Sequence, residues 1–147
     1  MDDIDINIIN SLLANSRIRT NALSEPLKIS SVATQQRIEK LENQGIIKGY
    51  TAKIDYRKLG YSTIAYIGIF LEKAKLYTEV ISQLNKVPEI AEAHFTTGNY
   101  SIFAKILAKD NHHLMEILNT QIQSINGIAR TETFISLEEG VNKEVLL

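Results

Sequence analysis

Three observations predict an α+β chain built from two dissimilar parts. Three short helical patterns follow one another before Gly45, positive charge gathers in the same stretch, and near Tyr61 the apolar period changes from about 3.6 to 2. The division expected from this change is a domain over residues 1–60 and a second over 61–147. The 147 residues are 44% hydrophobic and hold no cysteine, so no disulfide framework or thiolate metal site is available. No apolar run approaches the ~20 residues of a membrane helix, and the acidic start Met1-Asp2-Asp3 is unlike the basic start of a signal peptide. The cytoplasm is therefore the expected compartment, with no membrane partner.

Asp5 is the expected cap of a first helix whose buried stripe is Ile8, Ile9, Leu12 and Leu13. A second helix spans Thr20 to Leu27, capped by Thr20 and kept short by Pro26. Ser30 and Ser31 cap a third, Val32 to Asn43, which stops at Gly45. At about 100° per residue, Thr34, Ile38 and Leu41 form its inner face. Val32, Ala33, Gln36, Lys40 and Asn43 form its outer face, flanked by Gln35 and Arg37. Ile46 to Ile54 then reads as two short strands hinged at Gly49, carrying Lys48 and Lys53.

This succession predicts a winged helix-turn-helix whose third helix enters the major groove of double-stranded DNA. Gln35, Gln36 and Arg37 suit base edges, while Ser30, Ser31, Lys40, Lys48 and Lys53 suit phosphates, with Val32 at the helix start. The charge agrees: residues 17–58 carry nine basic and four acidic side chains, a net +5, while residues 61–147 carry seven and ten.

From Tyr61 onward, Ile64, Tyr66, Gly68 and Phe70 alternate with Ala65, Ile67, Ile69 and Leu71. Both faces are apolar, so this strand must be covered on both sides. A helix follows with Tyr77, Val80, Ile81 and Leu84 inward, ended by Val87-Pro88. Two strands, Ile90–Phe95 and Ser101–Leu107, are joined through the stretch TTGNYSIF (96–103). A second helix runs from Asn111 to Ile125, and a last strand from Ile128 to Leu137. The order βαββαβ predicts a ferredoxin-like sheet with both helices on one face. The other face requires a partner, expected to be a second copy of the chain in a two-fold dimer.

The run RIEKLENQGIIKGYTAKIDYRKLGY (37–61) resembles the end of the DNA-binding domain in the Lrp/AsnC, or feast/famine, regulators, closest to their asparagine-responsive branch. The resemblance covers essentially the whole chain. It implies dimers that assemble further, into tetramers or octamers, and an amino-acid effector held between subunits. It also implies that Thr97, Gly98, Asn99, Tyr100 and Ser101 line the effector site, with Thr131, Glu132 and Thr133 in the same region. Hydroxyls and backbone N–H groups suit the effector's carboxylate, and Glu132 suits its ammonium. The family often has an acidic residue where Asn99 or Ser101 stands, so the neutral rim here suits asparagine or glutamine.

Gly98-Asn99 is also a good turn pair without any ligand. Catalysis is not expected. His112 and His113 are adjacent rather than at metal-ligand spacing, His94 stands alone on a strand, and no phosphate loop or nucleophile elbow is present. No catalytic residue, metal ligand or cofactor is assigned. The rival reading is a DNA-binding architectural protein of the same fold without ligand control.

Overall fold

The computed structural model describes residues 1–147, which form two compact units: residues 1–53 with 141–147, and residues 54–140. The division lies at 53/54 rather than the expected 60/61. A 3-10 turn, Tyr56–Leu59, is closed by the Tyr61 N–H donating to the Tyr56 carbonyl, and the two tyrosine rings meet edge to face. The segment 141–147 counts with the helices. There the Asn10 carboxamide donates to the Leu147 carbonyl and accepts from its N–H, each at 3.0 Å.

The helical unit contains α1 (Asp3–Ala14), α2 (Thr20–Leu27) and α3 (Ser31–Asn43). Its core is Ile8, Ile9, Leu23, Ile38 and Leu41, on the stripes expected from the sequence. Two caps differ from expectation. Asp2, not Asp5, caps α1; Asp5 is its reciprocal partner, and each side chain accepts the other's backbone N–H. The residue before α2 is Arg19, which makes no side-chain cap, so Thr20 is already helical. Ser30 caps α3 as expected, accepting from the Ala33 N–H.

The two expected strands over Ile46–Ile54 are absent, and the wing is an irregular arm. The reason lies in the end of α3. The N–H groups of Ile46 and Ile47 both donate to the Leu41 carbonyl, so the donors that would begin a ladder are consumed in closing the helix.

The sheet unit contains β1 (Thr63–Leu71), α4 (Tyr77–Leu84), β2 (Ile90–Phe95), β3 (Ile102–Ala108), α5 (Asn111–Glu116) and β4 (Ile128–Ile135). The strand order is β2-β3-β1-β4 with every pair antiparallel, as a ferredoxin-like sheet requires. Ala65, Ile67 and Ile69 of β1 and Ile102 and Ile106 of β3 pack against Val80, Leu84, Leu114, Ile117 and Ile122. The expected long helix from Asn111 to Ile125 is shorter and changes form. After α5, residues Ile117–Ile122 make a π turn, with the Gln123 N–H donating to the Leu118 carbonyl. In an α-helix Ile117 and Ile122 would point about 140° apart. The wider turn lets both be fully buried.

The sheet face away from the helices carries Tyr66, Phe70, Tyr100, Phe103 and Phe134 as one aromatic cluster, with successive ring centroids 5.2 to 6.4 Å apart. Phe134 is 46% exposed.

Candidate functional sites

The α3 cap Ser30 and, on α3, Ser31, Val32, Gln35, Gln36 and Lys40 are all exposed, and Val32 is 67% exposed although apolar. An exposed valine in the first turn has no role in the core. Lys48 and Lys53 are exposed on the irregular arm, and Lys53 pairs with Glu144 at 3.4 Å. Tyr50 anchors the arm by donating its hydroxyl to Glu42 of α3 at 2.8 Å. Burial, with the Glu42 carboxylate second, pushes the phenol up to about 12, so Tyr50 is a neutral donor.

Arg37 is placed differently from its neighbours. It is half-buried, and its Nη1 donates to Asp2 at 2.9 Å and to Asp5 at 2.6 Å. Asp5 is only 4% exposed. Burial alone would raise its carboxyl, but the hydrogen bonds from Arg37 and from the Asp2 backbone outweigh this and hold it below the ordinary range. Asp2 is lowered first by the Asp5 N–H and then by Arg37. Arg37 therefore ties the start of α1 to the middle of α3. Sequence reading missed this pair because nothing in local spacing joins residues 2 and 37.

The second set of expected residues lies around the β2–β3 connection. Phe95 and Ile102 are paired, so residues 96–101 form a six-residue loop rather than a tight two-residue turn. Gly98 has φ +112°, a conformation suited to glycine, whereas Asn99 does not have a positive φ. Thr96 closes the loop: its hydroxyl donates to the Tyr100 carbonyl at 2.8 Å, and its N–H to the Ser101 carbonyl. Ser101 joins the loop to β1, donating its N–H to the Ile69 carbonyl and accepting the Leu71 N–H at its hydroxyl. Thr97, Gly98 and Asn99 are exposed.

Tyr100 and Glu132 are brought together. The phenol donates to Glu132 Oε2 at 2.7 Å. That bond, with burial second, raises the phenol above the ordinary tyrosine range. Arg130, which sequence reading also missed, holds Glu132 Oε1 at 3.1 Å and lies 3.8 Å above the Phe70 ring. Its position two residues before Glu132 on one strand face was the available signal.

Thr131 and Thr133 are not brought to Tyr100. Register pairs Thr131 with Ile69 and Thr133 with Ile67, whose side chains face the helices, while Glu132 pairs with Gly68 on the aromatic face. The alternation of a strand thus divides the Thr-Glu-Thr patch between two faces. The carboxylate of Glu132 is also already bonded at both oxygens.

No helix is long and apolar enough to cross a membrane. Comparison with known proteins matches residues 64–146 to the Lrp/AsnC ligand binding domain and residues 1–48 to a winged helix-turn-helix DNA-binding domain. The chain is 38% identical to the regulatory protein AsnC of Haemophilus influenzae, across 99% of this chain and 97% of that one. It is 36% identical to an HTH-type transcriptional regulator of Pyrococcus furiosus, across 98% and 93%. The solved structure of Escherichia coli AsnC covers 100% of this chain and 99% of its own, with a TM-score of 0.95 at 33% identity. A transcriptional regulator of Neisseria meningitidis, solved as a complex with L-methionine, shares the fold with a TM-score of 0.92 at 22% identity, across 97% and 94%. The relatives carry the names of regulators, not of enzymes.

Proposed function

The chain belongs to the Lrp/AsnC family of DNA-binding transcriptional regulators with a ligand-binding domain, and from that premise we propose that a polar, uncharged amino acid bound between subunits controls its grip on an operator. Asparagine and glutamine are the favoured effectors. The observation that carries this reading is the convergence of loop 97–101, exposed at 97–99, and Glu132 on an aromatic sheet face that the chain's own helices leave open. A second copy packed against that face forms the dimer, and dimers associate into tetramers or octamers. A ligand lodged at the loop then acts on assembly, and so on how many helix-turn-helix units meet DNA together.

On DNA, the exposed edge of α3 enters the major groove. Gln35 and Gln36 suit base edges, Val32 suits a thymine methyl, and Ser30, Ser31, Lys40, Lys48 and Lys53 suit phosphates. Arg37 contributes by holding α1 against α3 while it pairs with Asp2 and Asp5. DNA binding agrees with the cytoplasm as the working compartment.

Isothermal titration of the full chain against a panel of amino acids is the test, paired with gel shifts at two salt concentrations, with and without the amino acid that binds. Binding to DNA should fall steeply with salt, because phosphate contacts release counterions. Silence toward every amino acid would remove the effector reading. A second reading, the architectural protein without ligand control, draws on the bonds from Tyr100 and Arg130 that engage both oxygens of Glu132. It requires DNA binding that no amino acid changes.

A further inference from the structure

Gly68 sits in the middle of β1 on the sheet face away from the helices. Its neighbours on that face, Tyr66 and Phe70, are half-buried, yet the bare glycine is buried. The Tyr100 ring covers it. A Cβ added to Gly68 would lie 2.3 Å from Cδ1, 2.5 Å from Cε1 and 2.6 Å from Cγ of that ring. Gly68 does not have a positive φ, so space and not backbone conformation is what demands glycine here.

Register shows what the space is for. Gly68 pairs with Phe103 on β3 and with Glu132 on β4. Tyr100 stands just before β3, and its hydroxyl reaches Glu132 on the far side of β1. Its side chain therefore crosses β1, and it crosses at Gly68. An aromatic ring over a strand glycine can restore packing that the glycine lacks. Packing alone does not require a phenol aimed at a carboxylate 2.7 Å away, nor Arg130 on the other oxygen of that carboxylate. Arg130 returns to Phe70, whose ring meets Tyr100 edge to face at 5.2 Å, so the set closes on itself around Gly68.

We propose that Gly68 is the positioning residue of the sensor: by leaving room for Tyr100 to cross β1, it couples loop 96–101 to Glu132 so that both respond to the amino-acid effector as one unit. This rests on the reading of that loop as the effector site. Without the crossing, the Tyr100 side chain leaves the sheet face, Glu132 loses its donor, and the loop keeps only its backbone and hydroxyl ties through Thr96 and Ser101.

The test is a cycle of Gly68→Ala in two backgrounds, Tyr100 and Tyr100→Ala, in the full chain. The Tyr100 phenol is followed by fluorine NMR of protein labelled with 3-fluorotyrosine, its signal assigned by loss in Tyr100→Phe. Asparagine binding is followed by titration calorimetry. Gly68→Ala should move the Tyr100 titration down toward that of free tyrosine and weaken asparagine by about tenfold or more. In the Tyr100→Ala background the same change should alter affinity by no more than about twofold.

A Tyr100 titration unchanged by Gly68→Ala would overturn the proposal, as would equal losses in both backgrounds. Should the single variant fail to fold, recovery of folding in the double variant supports the proposal, and an unfolded double variant overturns it. If the unaltered chain binds no amino acid, the effector reading fails and the coupling to a ligand with it. The fluorine signal still decides whether Gly68 seats Tyr100 on Glu132.

Discussion

Five apolar residues close the core of the helical unit, whereas twelve close that of the sheet unit. The smaller unit compensates with directional contacts. Three of the four buried polar residues, Asp5, Ser24 and Thr34, lie in it, and only Thr63 lies in the sheet. Thr34 donates to the Ser30 carbonyl, Ser24 to the Asn21 carbonyl, and Asp5 accepts from Arg37. The sheet unit is held by buried apolar area, which salt and mild acid scarcely alter. The helical unit adds a charged tie, Arg37 with Asp2 and Asp5, which salt weakens and acid below about pH 4 removes. The unit that reads a polyanion is thus the one whose apolar core is supplemented by an ion-pair cluster.

The largest expected effect is in the sheet. Ile106→Ala, at a fully buried site between strand and helices, should cost about 4 kcal/mol in urea unfolding. Leu41→Ala, 1% exposed in the thinner core, should cost about 3 kcal/mol and abolish DNA binding. A larger loss at Leu41 than at Ile106 would break the comparison.

Arg37→Met should lower the melting temperature by several degrees at neutral pH, because Asp5 would stay buried without its cation. Its pH dependence sharpens the contrast. Asp2 and Asp5 are held below their ordinary values in the folded chain, so their contribution is complete above about pH 4 and is lost as pH falls through the lowered values. Thermal melts at pH 7 and pH 3 should therefore show a greater loss in the unaltered chain than in Arg37→Met. Equal losses would remove the pair from the account of acid sensitivity.

The smallest effect belongs to Glu144→Gln. Lys53 is 72% exposed and Glu144 50%, so their pair should scarcely affect stability. For the same reason the substitution should leave the dependence of DNA affinity on salt nearly unchanged, whereas Lys53→Ala should reduce that slope by roughly one unit.

Most of the architecture was legible because it rests on periodicity. The stripes Ile8-Ile9 and Ile38-Leu41, the two-sided strand from Thr63 and the order of the second half all follow from 3.6 and 2 residues per repeat. Two departures have separate causes: the Leu41 carbonyl takes the N–H groups that wing strands would use, and the π turn after α5 accompanies the burial of both Ile117 and Ile122. Within the candidate sites, Gln35, Gln36 and Lys40 were legible as an outward helix face. Arg37 was not, since its partners stand thirty-five and thirty-two residues away. Likewise the hydroxyl-rich stretches 96–101 and 131–133 were each visible, but strand alternation keeps only Glu132 on the side of Tyr100.

The sequence by itself determined the order of the helices and of the four strands of the sheet, which faces are apolar and where positive charge gathers, because these depend on side-chain spacing along one backbone. Only the tertiary structure decided that Arg37 turns inward to Asp5 and that Tyr100 crosses β1 at Gly68 to reach Glu132. Both depend on register and approach between segments distant in the chain, which local spacing does not encode.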